Sequence, residues 1–247
     1  MALADLTEIE FTRGFLSLIF VIISLLIGLK LLFKYFKYSQ KTFITVALTW
    51  IFLTISWWWP SFNFISLLFF GVNLNTFSYL ILANAFIAPA LVSWLYSFTS
   101  IAYKEIKKKV MSISLVIFVP YEAIFFILLF IEPSLIGVER SPNVVSRSAI
   151  TLTVAIIGIL IALITGFLMS RDALKSSDMK IKWKGRFLLA AFVLFTISAA
   201  LDSISWTSIA IIAIIRILLI VSAFAYYLGF FLPDRIADLL IKDEVFR

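Results

Sequence analysis

Seven long apolar stretches limit this chain to folds that cross a lipid bilayer repeatedly. About 20 residues in helical form are needed to span about 30 Å of hydrocarbon. Because a helix satisfies its own backbone hydrogen bonds where no water is present, the sequence predicts an all-α membrane protein, a bundle of seven transmembrane helices. The predicted spans lie near residues 14–36, 42–59, 75–103, 110–131, 148–169, 185–206 and 209–232.

The composition supports this class. The chain has 247 residues, of which 63% are hydrophobic and 14% are charged. It has too little polar surface to cover a water-soluble globule of this size, so the lipid bilayer is its predicted partner. The connections between spans are short, and we therefore predict one seven-helix domain, 1–233, followed by a tail, 234–247.

The second span leaves two interpretations open. It is short up to Pro60, so it is either a thin span or a helix that continues past a proline kink into residues 61–72. Three tryptophans at 57–59 precede that run, and tryptophan favours the membrane interface. We expect residues 61–74 to lie in the outer headgroup layer or to cap the bundle.

Basic residues predict the orientation, because they are retained on the cytoplasmic side of the membrane. Alternate connections, the ends of the spans beside them and the tail contain 17 of the 21 lysines and arginines, which predicts a multi-pass cell-membrane protein with its N-terminus outside and its C-terminus in the cytoplasm. The net charge of +7 then needs no nucleic-acid partner. The 17 residues are Lys30, Lys34, Lys37, Lys41, Lys104, Lys107, Lys108, Lys109, Arg171, Lys175, Lys180, Lys182, Lys184, Arg186, Arg235, Lys242 and Arg247.

The tail is predicted to form a short amphipathic helix on the inner membrane surface. Ile236, Leu239, Leu240 and Phe246 share one face of such a helix, and the charged residues lie elsewhere. The tail is too small for a kinase or DNA-binding domain. Any signal must therefore pass to a separate cytoplasmic protein.

Histidine and cysteine are absent from the sequence. Disulfides, thiolate catalysis, a histidine base and the usual zinc sites are thereby excluded. We predict no catalytic residues and no metal ligands.

Three ionisable residues lie at membrane depth and are the sharpest functional clues. Glu122 lies in the fourth span, Asp202 in the sixth and Arg216 in the seventh. A lone charge there costs from about 3 to over 10 kcal/mol, so each should face the bundle interior or a wet cavity. Asp202 and Arg216 flank a short turn and are expected to pair. The pair either locks two helices or lines a polar cavity.

Prolines and polar neighbours extend this predicted ligand-binding or proton-relay site. Pro89 should free a carbonyl near residue 85 and bend the third span, where Asn84 is close. Pro120 should bend the fourth span beside Tyr121 and Glu122. Broken helices at this depth often surround ligand or ion sites.

A stripe of small residues, Gly158, Ala162 and Gly166, marks one face of the fifth span. Such a stripe allows another helix to approach closely. The partner is either a helix of the same chain or a second copy.

The end of the last span, residues 226–233, reads Tyr-Tyr-Leu-Gly-Phe-Phe-Leu-Pro. It resembles the exit from the last membrane helix of prokaryotic seven-transmembrane sensor modules, and the resemblance implies a sensor or receptor. A retinal protein needs a lysine in this span for its Schiff base. The span contains Arg216 and no lysine, so no retinal and no other cofactor is predicted.

Two functions remain as hypotheses. The first is a stand-alone receptor or sensor that binds a small or lipid-like ligand in an outward-facing cavity bounded by spans three, four, six and seven. The alternative is a proton-coupled transporter or channel with Glu122 as proton carrier. An intramembrane lipid enzyme is a distant third, because no paired carboxylates at a readable spacing support it.

Overall fold

The structure, a computed structural model, describes residues 6–141, 144–202 and 208–245 and is 88% helical. Within these residues, seven segments are long and apolar enough to cross a membrane, which confirms the predicted helical multi-pass membrane class. The segments are Glu8–Tyr38, Lys41–Phe70, Thr76–Ile101, Lys104–Ile131, Ala149–Leu174, Met179–Asp202 and Ile209–Phe230.

The chain crosses between two ends of one bundle. The hairpin end contains β1 and β2, and the basic end contains the connections rich in lysine. The helices are α1 (Glu8–Tyr38), α2 (Lys41–Leu53), α3 (Trp58–Phe70), α4 (Thr76–Asn84), α5 (Ile87–Ile101), α6 (Lys107–Ile131), α7 (Ala149–Leu174), α8 (Met179–Asp202), α9 (Ile209–Phe230) and α10 (Asp234–Val245). Short 3-10 helices cover Thr54–Trp57, Lys104–Ile106 and Pro133–Leu135, and the strands are β1 (Gly137–Ser141) and β2 (Val144–Arg147).

The second span follows the longer of its two interpretations. The 3-10 helix Thr54–Trp57 joins α2 to α3, and Pro60 lies in the first turn of α3, where an amide hydrogen has no helical partner to lose. α3 packs against α1 and buries Ser61, Asn63 and Phe64. The candidate span Lys41–Phe70 therefore extends past the predicted end at residue 59, and residues 61–70 of the predicted headgroup or capping segment belong to a helix that packs against α1.

The third span is broken where Pro89 predicts a bend. α4 ends at Asn84 and α5 begins at Ile87, with Pro89 in its first turn. The proline has no amide hydrogen to donate to Ala85, and its ring crowds that carbonyl. Pro120 behaves differently, since α6 continues unbroken from Lys107 to Ile131 around it.

A two-stranded antiparallel hairpin joins α6 to α7, and the sequence analysis did not predict it. Gly137 pairs with Arg147, and Val138 pairs with Ser146. The hairpin is anchored at Ile136, which is 1% exposed and whose carbonyl accepts hydrogen bonds from Ser148 N at 2.8 Å and Thr151 Oγ1 at 3.0 Å. This anchoring fixes the position of Arg147 at the hairpin end of the bundle.

Six spans form a ring in the order α1, α2, α5, α7, α8 and α9, and α9 closes it against α1. Aromatic side chains fill the ring. Trp50 stacks on Tyr226 with ring centroids 4.2 Å apart, and Trp94 packs on Phe192 at 4.8 Å. Tyr226 also donates a hydrogen bond to Val46 O at 3.0 Å, across from α9 to α2. α6 lies outside this ring, packed chiefly against α5.

The tail forms the predicted amphipathic helix, α10. Ala237 is buried at 2% exposure, and α10 packs against α8, whereas Leu239 is 67% exposed. Lys180 of α8 forms an ion pair with Asp234 and holds the pKa of that carboxyl below its usual range. Phe246, predicted to share the apolar face, lies outside the described residues, as do residues 203–206 of the predicted sixth span.

The small-residue stripe on α7 serves packing within the chain. A Cβ atom at Gly166 would lie 2.5 Å from the ring of Phe192 on α8, so the two helices approach too closely for a larger residue. At Gly158 the nearest atom to such a Cβ is the flexible end of Leu91 on α5, at 3.2 Å. Of the two interpretations left open, the intramolecular one is confirmed.

These two glycines form a matched pair for a stability test. Gly166→Ala should destabilise the bundle by about 1 to 3 kcal/mol, because the new methyl group meets a buried aromatic ring. Gly158→Ala, in the same helix, should be neutral or slightly stabilising, since alanine favours helix by up to about 1 kcal/mol and Leu91 can move. Thermal unfolding in detergent measures both. Equal effects of the two substitutions would contradict this account of α7.

Candidate functional site

The expected ion pair between the last two spans is present. Arg216 Nη1 lies 2.8 Å from Asp202 Oδ1. Arg216 is almost fully buried, with 2% of its side chain exposed, whereas Asp202 is 27% exposed. The buried arginine therefore has its counter-ion on the side that faces the hairpin end.

Trp57 completes the coordination of Asp202. Its Nε1 donates a hydrogen bond to Asp202 Oδ2 at 2.9 Å, so each carboxylate oxygen has one partner. Trp57 belongs to the 3-10 helix that interrupts the second span, and the interruption turns its ring towards Phe20 and Phe195 in the core. Sequence analysis assigned Trp57 to the membrane interface, whereas in the structure its indole donates a hydrogen bond to the carboxylate of Asp202.

Arg147 is a functional candidate that the sequence analysis missed, because it lies in a connection between predicted spans and not at membrane depth. It reaches from β2 to the two helix interruptions. Its Nη2 donates to Ala83 O at 3.0 Å and to Ser56 Oγ at 3.3 Å. Ala83 lies in the last turn of α4, where carbonyl groups lack helical partners. The hairpin thus supplies a guanidinium to a carbonyl left open by the break before Pro89.

Tyr79 is close enough to Arg147 and to Asp202 of the ion pair for their charges to act on it. Its ring packs edge-on against Trp59 with centroids 5.1 Å apart. These groups form one band across the hairpin half of the bundle. We call this band the polar layer, and it consists of Arg216, Asp202, Trp57, Ser56, Tyr79, Ala83 O and Arg147.

Glu122 and Tyr121 lie apart from the ion pair. Both are on α6, outside the ring, and Tyr121 is near enough to Arg147 to interact with its charge. Glu122 is half-buried, and its Oε2 has no hydrogen-bond partner among the described residues. The predicted cavity that gathers Glu122, Asp202 and Arg216 between spans three, four, six and seven is wrong, because α6 packs on α5 rather than on α8 and α9.

Asn84 closes the buried end of α4. Its Nδ2 donates to Leu80 O at 2.9 Å, and its Oδ1 has no partner among the described residues, although the side chain is fully buried. The side-chain amide group of Asn84 therefore caps a carbonyl of its own helix, and its oxygen remains an available hydrogen-bond acceptor beside the break.

The polar layer contains more donors than acceptors. Arg216 Nε and Arg147 Nε are buried and have no hydrogen-bond partner in the part of the chain that the structure describes. The polar layer contains two guanidinium groups and one carboxylate, Asp202, which pairs with Arg216, so the layer carries net positive charge. Arginine donors of this kind bind carboxylate or phosphate oxygens well.

A small cavity opens near the polar layer, between α1 and α3. Its volume is about 50 Å³, and its lining includes Glu10, Arg13, Trp59 and Asn63. Ligand pockets for small organic molecules are about 300 to 1,000 Å³, so this cavity suits water molecules rather than such a ligand.

Comparison with known proteins gives no relative from which a function can be transferred. No family model matches the sequence, and no curated protein matches it. Functional inference therefore depends on the geometry of the polar layer.

The ion pair can be tested by removing charge without changing shape. Asp202→Asn should lower stability by about 2 to 3 kcal/mol, because breaking a buried pair leaves Arg216 uncompensated and Asp202 is partly solvated. Trp57→Phe removes one hydrogen bond and keeps the ring, so its cost should be about 1 kcal/mol. Unfolding in detergent measures both. Asp202→Asn combined with Arg216→Gln should recover most of the loss, and failure to recover would contradict a direct interaction.

Proposed function

We propose that the protein is a seven-helix membrane receptor or sensor. Its ligand is a small or lipid-like molecule with an anionic group, which binds at the polar layer. The observation that supports this proposal is a pair of arginines, the half-buried Arg147 and the buried Arg216, whose buried Nε donors have no partner among the described residues. An anionic oxygen would satisfy those donors and balance the excess positive charge.

The proposed orientation puts the hairpin end outside the cell and the basic end in the cytoplasm. Its support is the concentration of 17 of the 21 lysines and arginines at the basic end and in the tail. The polar layer would then be open to ligands from outside or from the outer leaflet. The tail and the basic connections would meet a separate cytoplasmic partner.

The contacts of Arg147 provide a route for the signal. Arg147 holds the 3-10 helix of the second span through Ser56 and the break of the third span through Ala83 O. A ligand that draws Arg147 away changes both interruptions, and the two helices that continue from them, α2 and α5, run to the basic end.

At the basic end, a hydrogen bond links the end of α5 to α7 and would respond to a shift of α5. Tyr103, just beyond α5, donates a hydrogen bond to Asp172 Oδ2 of α7 at 2.7 Å. A shift of α5 would therefore disturb the connection between α7 and α8. That connection is the proposed contact surface for the cytoplasmic partner.

The orientation predicts opposite labelling of two introduced cysteines, since the chain has none of its own. Ser134→Cys, at the hairpin end, should react with a membrane-impermeant maleimide in intact cells. Ser177→Cys, at the basic end, should react only after the cells are opened. Both serines are exposed, so accessibility within the protein does not explain a difference. The reverse pattern would invert the proposed topology.

Ligand binding is tested by native mass spectrometry of the protein extracted gently with its own lipids. The wild type should retain one molecule of defined mass, and Arg147→Gln should release it, because the site loses a guanidinium. Arg13→Gln, which removes the same charge at the same end outside the polar layer, should retain it. A wild-type protein that carries no bound molecule would overturn the proposal.

Transport is the second candidate, and Glu122 is the observation that favours it. A half-buried carboxylate with an open oxygen in a membrane-crossing helix is a common proton carrier. Its position on α6, away from the ion pair, is less favourable for a relay. In liposomes, pH-driven flux that is lost in Glu122→Gln would establish transport and overturn the receptor proposal. Ligand retention without flux would support the receptor.

A further inference from the structure

Three lysines converge at the basic end where α9 lies between α1 and α8. Lys30 and Lys34 come from the last turns of α1, and Lys184 comes from the first turns of α8. The rings of Tyr227 and Phe231 on the neighbouring segment form an aromatic surface beneath Lys30 and Lys34, which we call the aromatic floor. Lys30 Nζ lies 4.7 Å from the ring centroid of Tyr227, and Lys34 Nζ lies 2.9 Å from that of Phe231. The rings hold both ammonium groups in place through cation–π contacts.

Among the described residues, neither Lys30 nor Lys34 forms an ion pair with a carboxylate. The charges that act on Lys34 are those of Lys30, Lys37 and Lys184, all of the same sign. Because these positive charges repel one another, bringing them together is electrostatically unfavourable.

The carboxylates nearest to Lys184 are engaged elsewhere. Asp234 forms its ion pair with Lys180, and Asp178 accepts hydrogen bonds from the amides of Lys180 and Ile181 at the start of α8. Within the described residues, the positive charge of this cluster is therefore only partly balanced by carboxylates.

The depth of the cluster indicates which anion would meet it. The lysines lie where α1 ends and α8 begins, so their ammonium groups reach the level of the lipid headgroups while their stems lie along apolar surface. Phe33 and Phe36, on the same part of α1, are 65% and 75% exposed. Acyl chains can pack against such rings directly below a headgroup.

We propose that Lys30, Lys34 and Lys184 bind the phosphate of one anionic phospholipid over the aromatic floor of Tyr227 and Phe231. The phosphate replaces repulsion among the lysines with attraction to each of them. This site is at the opposite end from the polar layer and does not depend on the receptor proposal. It differs from general attraction to the basic end, because two of its cations are fixed on rings.

The test uses the full-length protein, delipidated in detergent and titrated with phosphatidylglycerol under native mass spectrometry. The first lipid should bind the Lys30→Gln, Lys34→Gln variant about tenfold or more weakly than the wild type. The control variant, Lys108→Gln with Lys109→Gln, loses the same charge from two exposed lysines of the same end and should bind normally. Lys30→Arg with Lys34→Arg keeps both charges and should also bind, which separates lost binding from misfolding.

Three outcomes would overturn the proposal. Equal weakening in the glutamine variant and its control would mean diffuse attraction to the whole end. Equal binding of phosphatidylcholine and phosphatidylglycerol would mean that the charge of the headgroup is irrelevant. Displacement of the lipid by inorganic phosphate at millimolar concentration would assign the cluster to free phosphate instead of a lipid.

Discussion

Hydrocarbon solvates neither an open carbonyl nor an isolated charge, and the hairpin half of the bundle is arranged around that fact. The third span is broken before Pro89, and the carbonyl of Ala83 near that break accepts a hydrogen bond from Arg147. The second span is interrupted at Thr54–Trp57, and Trp57 donates to Asp202. Asp202 in turn neutralises Arg216. Each polar group is thus paired with one from a different span or from the hairpin. These contacts join the helices where helical backbone hydrogen bonds are interrupted.

The sequence predicts the features that arise from neighbouring or regularly spaced residues. Apolar length identifies the seven spans, and the rigid geometry of Pro89 predicts the break near residue 85. The pairing of Asp202 with Arg216 follows from their positions on either side of a short turn. In each case the physical cause lies within one span or in two spans joined by one short turn, so no knowledge of helix arrangement is needed.

The rest of the site depends on which helices become neighbours. The position of a residue along its span predicts its depth in the membrane but not the helix that it will contact. Glu122 lies at membrane depth, as the ion pair does, but α6 packs outside the ring and chiefly against α5, away from the ion pair of α8 and α9. Arg147 looks like a loop charge, because its partners, Ala83 O and Ser56, become available only through two helix interruptions and an anchored hairpin. Tryptophan at position 57 has an equally good local explanation at the membrane interface, and only the fold distinguishes that role from the hydrogen bond to Asp202.

The peripheral position of α6 has a consequence for how the chain is threaded. α5 and α7 are neighbours in the ring, and both run from the hairpin end to the basic end. Two parallel neighbours need a return path through the bilayer, just as two parallel strands need a crossover connection. α6 provides that return path. Its length must match the thickness of the bilayer, and only the face that packs against α5 needs side chains complementary to a neighbouring helix. Of the seven candidate spans among the described residues, six therefore form the ring around the aromatic core, and the seventh, α6, is a connector.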